Sequence, residues 1–216
     1  MTIDPAPEWS PEPHRFLEDL EAKPAALERL AGSTDVATAV AAVPRLPRVL
    51  FLGMGSSRFA AEDAARRLRA AGREAVSEYA SAVELPPPNP ELLVVAISAS
   101  GKSRETLAAV ERYQQTAATV AITEDIGSPL ATACRHAIPL VAGREAGGVA
   151  CRSFQHTGLV LRLLESRLTQ RPLDFAALCQ QVAEGTADVL DRRPEWLPAF
   201  IEALDTQGIV GVIAPA

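Results

Sequence analysis

Aromatic side chains make up only 5% of the 216 residues, and histidine and cysteine occur three times each. Cys134, Cys151 and Cys179 are widely spaced, with no CxxC pair and no Cys/His ligand spacing. That pattern excludes the usual zinc sites, and no metal or cofactor is expected. Positive charge is also short: Lys and Arg total 21 against 27 Asp and Glu, a net charge of −6. No basic stripe is present, so a nucleic-acid partner is not expected. An anion held by such a chain must be held locally, by backbone N–H groups and hydroxyls. No apolar run approaches the ~20 residues that a membrane span needs, and the acidic, proline-rich start of the chain has no apolar signal core. The expectation is a chain without a membrane partner, in a reducing cytoplasm.

Ala, Val and Leu are abundant, and 48% of the residues are hydrophobic. That suits closely packed helices on a sheet, with length for one full core and some extra structure. From Arg48 onward, short apolar runs alternate with helical spacing. Val49-Leu50-Phe51-Leu52, residues 92–97 and residues 118–123 read as strands buried on both faces; residues 75–79 and 137–141 read as weaker ones. Helices are expected over 58–71, 103–115 and the stretch after Gly147 to Thr169. The alternation argues βαβ units and a three-layer α-β-α fold around a parallel sheet of about five strands. Residues 1–15 read as a mobile tail and 16–47 as a helical lead-in, in which Ser33 caps a helix running to Val43. The main domain is expected over 48–170. Residues 171–216 read as a helical linker, then a buried strand over 208–216 that either opens a second, truncated domain or joins a partner's sheet.

Ligands of open parallel sheets bind beyond the carboxyl ends of the strands. Two loops there combine glycine with serine and lead into helices: Gly53-Met54-Gly55-Ser56-Ser57 and Ser98-Ala99-Ser100-Gly101-Lys102-Ser103. Glycine lets an anion approach the backbone, and the helix dipole favours negative charge. The phosphate-binding candidates are Gly55, Ser56, Ser57, Ser98, Ser100, Gly101 and Ser103. The alternative is plain turn and capping chemistry, to which Gly-Ser stretches are equally suited. Two nucleotide signatures fail. Gly53-Met54-Gly55 begins GxGxxG, but Arg58 occupies the third glycine position; Gly101-Lys102-Ser103 ends a Walker loop whose first glycine is replaced by Ala96.

Four stretches in this order resemble the sugar isomerase (SIS) domain, and more closely the first isomerase half of glucosamine-fructose-6-phosphate aminotransferase. Residues 16–27, FLEDLEAKPAAL, resemble a lead-in of the form M-x-x-E-I-x-x-Q-P-x-x-L. Residues 53–57 resemble the family's first phosphate loop. Residues 98–106 resemble its S-x-S-G-x-T-x-[DE]-T loop, and residues 145–154, EAGGVACRSF, its E-I-G-V-A-S-T-K-x-F segment. The resemblance implies a flavodoxin-like, doubly wound fold and a hexose phosphate or amino-hexose phosphate as ligand. It places Ser56, Ser57, Ser98, Ser100 and Ser103 on the phosphate, and Gly148 and Ala150 beside the sugar. A homodimer is expected. The implied activity is that of an aldose–ketose or amino-sugar phosphate isomerase or deaminase; the alternative is a non-catalytic sensor of sugar phosphates. Departures fall on both sides: Ala99 stands for a phosphate-binding glutamine, Ala150 for a serine that contacts the sugar, and Cys151 and Arg152 for threonine and lysine. The family's ring-opening His, proton-shuttling Glu and Schiff-base Lys belong to a second half and a C-terminal tail that this sequence lacks, and its amide-hydrolysing domain is missing too.

Isomerisation needs a base that moves a proton between C1 and C2. Glu78, in Ser77-Glu78-Tyr79, and Glu145 are the candidates for catalysis. Their alternative roles are a solvated surface carboxylate for Glu78 and a cap on the backbone of Gly147 and Gly148 for Glu145. His156 and Cys151 read as structural, the first because lone histidines on helices usually are, the second because no His/Asp partner pattern accompanies it.

Overall fold

The structure is a computed structural model, and it describes residues 13–205. The expected strand over 208–216 lies outside those residues, as do residues 1–12 of the expected tail. Five strands, β1 (Arg48–Gly53), β2 (Glu74–Tyr79), β3 (Leu92–Ile97), β4 (Ala118–Thr123) and β5 (His136–Pro139), form one sheet in the order β2-β1-β3-β4-β5. Every pair is parallel. The expected three-layer α/β fold is therefore the one present.

Side-chain alternation sorts the strand residues between two cores. Val49, Phe51, Leu93, Val95, Ile97, Val120 and Ile122 face one side, where α3 (Thr34–Ala42), α4 (Gly55–Ala70) and α7 (Arg152–Thr169) cover the sheet. A further helix pair, α2 (Lys23–Ala31) and α8 (Phe175–Asp191), adds Leu27, Leu30, Cys179 and Ala183 to that core. Leu50, Leu52 and Val94 face the other side, with Ala109 and Tyr113 at and just past α5 (Arg104–Glu111). There Ala96 and Ala121 meet Val110 and Leu130, the latter from the short helix α6 (Pro129–Ala133). Burial on both faces is why β1 and β3 are unbroken apolar runs. α4 turns Ala60, Ala61, Ala64, Ala65 and Leu68 inward, so its backbone lies close against β1 and β2. Arg67 anchors it to α7 with two bonds to Glu165, at 2.8 and 2.6 Å.

The connection from β2 to β3 carries no helix. Residues 80–91 instead lie over the second face, with Ala80 and Leu85 in the core. The Tyr113 hydroxyl donates to the Pro86 carbonyl at 2.7 Å. Four prolines in this stretch lower the entropy of holding an irregular segment in place. Other boundaries differ modestly from expectation. α1 (Pro13–Glu21) begins inside the stretch read as tail, and α4 begins at Gly55 rather than at residue 58 because glycine and serine start the helix directly. β5 stops at Pro139, since Val141 turns into left-handed backbone at φ 58°. Gly32 and Ser33 close and open neighbouring helices as read, with Ser33 Oγ accepting from the Val36 N–H. The helix over 193–204, α9, places no side chain in the interior.

Phe51 is fully buried at the centre of the larger core. Phe51→Ala is expected to lower unfolding free energy by about 3–5 kcal/mol. Tyr113→Phe, which removes one hydroxyl from a fixed loop, is expected to lower it by about 1 kcal/mol. Urea melts of the two variants beside wild type measure both; equal losses would mean that the 80–91 loop depends on its hydrogen bond as heavily as the core depends on its packing.

Candidate functional site

The strand order reverses between β1 and β3: the chain leaves β1 toward β2 on one side and returns at β3 on the other. The register pairs Gly53 with Ile97, so the Gly53–Ser57 and Ser98–Ser103 loops emerge side by side from neighbouring strand ends. This is the switch point at which an open α/β sheet leaves a crevice.

Each loop has its own cause. At Gly53 a Cβ would lie 2.9 Å from the Arg58 nitrogen, because the first turn of α4 folds back over the strand end. Gly55 adopts φ +50° with open space beside it. Met54, at the N-cap, makes no side-chain cap, so no side chain closes the positive end of this 16-residue helix. Ser56 is exposed and Ser57 half-buried there. The second loop is tied down more tightly. Ser98 is buried; its N–H donates to the Ile122 carbonyl, and its own carbonyl accepts from Gly101 N–H. Gly101 sits at φ +64°, where a Cβ would fall 2.1 Å from Ser128 Oγ. Ser100 Oγ accepts from the Lys102 N–H at 3.3 Å and keeps its proton free to donate.

Ser103 differs from the other hydroxyls. Its Oγ accepts from the Thr106 N–H and hydroxyl and donates to Glu105 at 3.1 Å, so it is already spent as the cap of α5. Gly101 likewise has its N–H engaged within the turn. The groups open to a ligand are thus the start of α4, with Ser56 and Ser57, and Ser100 opposite.

Glu145 is fully committed. Its Oε1 accepts from Cys151 N–H at 2.7 Å and Arg152 N–H at 2.6 Å, and its Oε2 accepts from the Ser153 hydroxyl. It caps α7 rather than Gly147 and Gly148. Burial works to raise its pKa, but the donors of Ser153, Cys151 and Arg152 together hold it below the ordinary carboxylate value. The Gly147 N–H goes instead to Asp19 of α1, which sequence reading left unassigned. Gly148 and Ala150 are both exposed, beyond that bond, with Gly148 at φ +74°. Glu78 is half-buried near the end of β2, opposite Leu52 in the register, and so at the same sheet edge as both loops.

His156 is fully buried with Nδ1 2.8 Å from the Leu140 carbonyl; burial lowers its pKa and keeps it neutral. The Cys151 thiol is pushed up to about 11 by burial and by neighbouring Glu145, which suits packing and not nucleophilic attack. Among the described residues, no cluster of three or more His, Cys, Asp or Glu is arranged to hold a metal ion, and no helix is long and apolar enough to cross a membrane.

A family model described as the SIS domain matches residues 45–167. Comparison with curated protein sequences returns no significant match. Among solved structures, the chain superposes on a candidate phosphosugar isomerase from Silicibacter pomeroyi with 25% identity and a TM-score of 0.69, over 81% of this chain and 56% of that one. It superposes on the C-terminal domain of glucosamine-fructose-6-phosphate aminotransferase from Francisella tularensis with 18% identity and a TM-score of 0.69, over 85% and 58%. For glucosamine-6-phosphate deaminase from Thermotoga maritima the values are 19% and 0.63, over 79% and 54%. The last two likenesses concern the fold alone, and the chain spans little more than half the length of each of the three. The family match takes in all five strands and both Gly/Ser loops, over more than half of the sequence, and the chain belongs to the SIS-domain family.

Proposed function

We propose that this chain binds the phosphate of a hexose phosphate or amino-hexose phosphate between the start of α4 and the Ser98–Ser103 loop. We read it as part of an aldose–ketose isomerase or amino-sugar phosphate deaminase. The observation that carries the reading is the pairing of Gly53 with Ile97 at the switch point, which sets two glycine- and serine-bearing loops side by side. In a chain of net charge −6, the dianion would be met by N–H groups, the α4 dipole and the hydroxyls of Ser56, Ser57 and Ser100. Glu78 is the carboxylate left to move a proton, because both oxygens of Glu145 are taken. The phosphate would anchor the sugar while negative charge builds on an enediolate oxygen.

A sensor that binds without turnover is the second reading. It is favoured by Ala99 and Ala150, which offer no side-chain donor, and by the commitment of Glu145 to α7.

Titration calorimetry of the chain with fructose 6-phosphate and with glucosamine 6-phosphate is expected to show saturable binding of at least one. No heat and no change in melting temperature at millimolar ligand would reject the reading. Ser56→Ala and Ser100→Ala are each expected to weaken binding by about 1.5 kcal/mol, roughly tenfold. Ser103→Ala is expected to leave affinity unchanged and lower stability by about 1 kcal/mol, as the loss of a cap would.

Glu78→Gln and Glu145→Gln separate catalysis from capping. If the complete protein turns over a hexose phosphate, Glu78→Gln is expected to abolish turnover with little change in melting temperature. Glu145→Gln is expected to act on stability, and in a pH-dependent way. A carboxyl held below its ordinary value of 4.5 when folded contributes stability that is fully present above that pH, and loses it as pH falls through the lower folded value. The melting temperature of Glu145→Gln should therefore lie below wild type at pH 7, with the gap closing below about pH 4.5. A constant gap down to pH 3 would show that the carboxylate's charge plays no part in the cap.

A further inference from the structure

The segment from Leu140 to Cys151 has almost no regular structure, yet three carboxylates fix it, each by accepting two successive backbone N–H groups. Glu124, just past β4, accepts from Ala142 and Gly143, both at 2.8 Å. Asp19 of α1 accepts from Ala146 at 2.9 Å and Gly147 at 2.7 Å through Oδ2. Glu145 accepts from Cys151 and Arg152. Gly148, Val149 and Ala150 form the exposed bridge between the second and third of these pins. The middle pin is the most deeply set. Asp19 and Arg152 are 5% and 7% exposed, and Arg152 Nη2 donates both to Asp19 Oδ1 at 2.8 Å and to the Arg144 carbonyl at 2.6 Å. α1 also touches the segment directly, since a Cβ on Gly147 would lie 2.4 Å from the Phe16 Cα.

We infer that Asp19, locked by Arg152, is a positioning residue of the ligand site: it sets the height and direction of the 148–150 bridge on its sugar side. The inference rests on the sugar-phosphate reading above and adds α1 to the machinery. A carboxylate that accepts two N–H groups on one oxygen and a guanidinium N–H on the other is satisfied on both oxygens, so it fixes the backbone without being available to react. Glu124 and Glu145 hold the flanks, so loss of the Asp19 pin alone frees the bridge and leaves its ends in place. The phosphate loops belong to other strand ends and do not share these bonds.

The test compares two ligands. Dissociation constants for inorganic phosphate and for fructose 6-phosphate are measured on wild type, Asp19→Asn and Arg152→Lys. The lysine variant keeps the positive charge but replaces the planar guanidinium, whose Nη2 reaches both Asp19 and the Arg144 carbonyl, with a compact ammonium on a different stem, and so serves if Asp19→Asn does not fold. The expected result is a loss of about tenfold or more for fructose 6-phosphate with inorganic phosphate held within about twofold. Amide exchange should quicken at Ala146 and Gly147 and not at Ser56 or Ser100. Equal weakening of both ligands, or no weakening of either, in whichever variant folds overturns the positioning role while leaving the phosphate site standing. Failure of wild type to bind either ligand overturns the site and the positioning role together.

Discussion

The side-by-side pairing of β1 with β3 is the constraint from which the rest follows. It places β2 on the far side of β1, so the chain must cross from one edge of that pair to the other. Both strands are buried on both faces, so their loops can leave only at the ends. The same constraint explains the unusual β2–β3 connection. A helix is not required to cover the second face of β1, because Ala80, Leu85 and the Tyr113–Pro86 bond already do so. That leaves Glu78, at the end of the edge strand β2, close to the crevice and only half-buried.

The start of α4 and the 140–152 segment are built by opposite means. At the start of α4 the N-cap Met54 makes no side-chain cap, and the Ser57 N–H turns back to the Met54 carbonyl. On the 140–152 side, N–H groups are consumed in pairs by Glu124, Asp19 and Glu145. An unpaired N–H attracts an anion; an N–H held by a carboxylate repels one. Arg152 offsets part of the negative charge on the second side: its Nη2 donates to Asp19 Oδ1 and to the Arg144 carbonyl, while its Nε is buried without a partner.

The strands were legible in the sequence because burial on both faces leaves unbroken apolar runs, as in Val49-Leu50-Phe51-Leu52 and residues 92–97. The two glycine-serine loops were legible as a pair because each follows an unbroken apolar strand and leads into a helix, although Gly-Ser stretches equally suit turns and caps. The roles of individual hydroxyls were not. Ser100 and Ser103 look alike in the sequence, but one keeps its proton while the other caps α5, a difference set by the turn that Gly101 imposes. Asp19 is one of three acids in α1, beside the exposed Glu18 and Glu21, and nothing local says that it is the one turned inward or that its partners lie more than 120 residues away. Glu145 reads in the sequence as a catalytic candidate with a cap on Gly147 and Gly148 as its alternative; it is a cap, but on Cys151 and Arg152, since capping depends on where α7 begins and not on which glycines are near in sequence.

Long-range carboxylate pins also bear on why α1 and α2 accompany the sheet at all. α2 packs on α8 and closes the larger core, a role any amphipathic helix of that length fills. α1 buries little apolar surface, and the one residue it turns fully inward is the charged Asp19. Desolvating an aspartate is unfavourable unless its acceptor sites are filled, and here they are filled by two N–H groups and a guanidinium. A helix held mainly by a carboxylate that grips another segment's backbone is better explained by what it does for that segment than by what it adds to the core. By that reasoning the boundary of the functional unit lies at α1 and not at β1, although the recognisable domain begins only at residue 45.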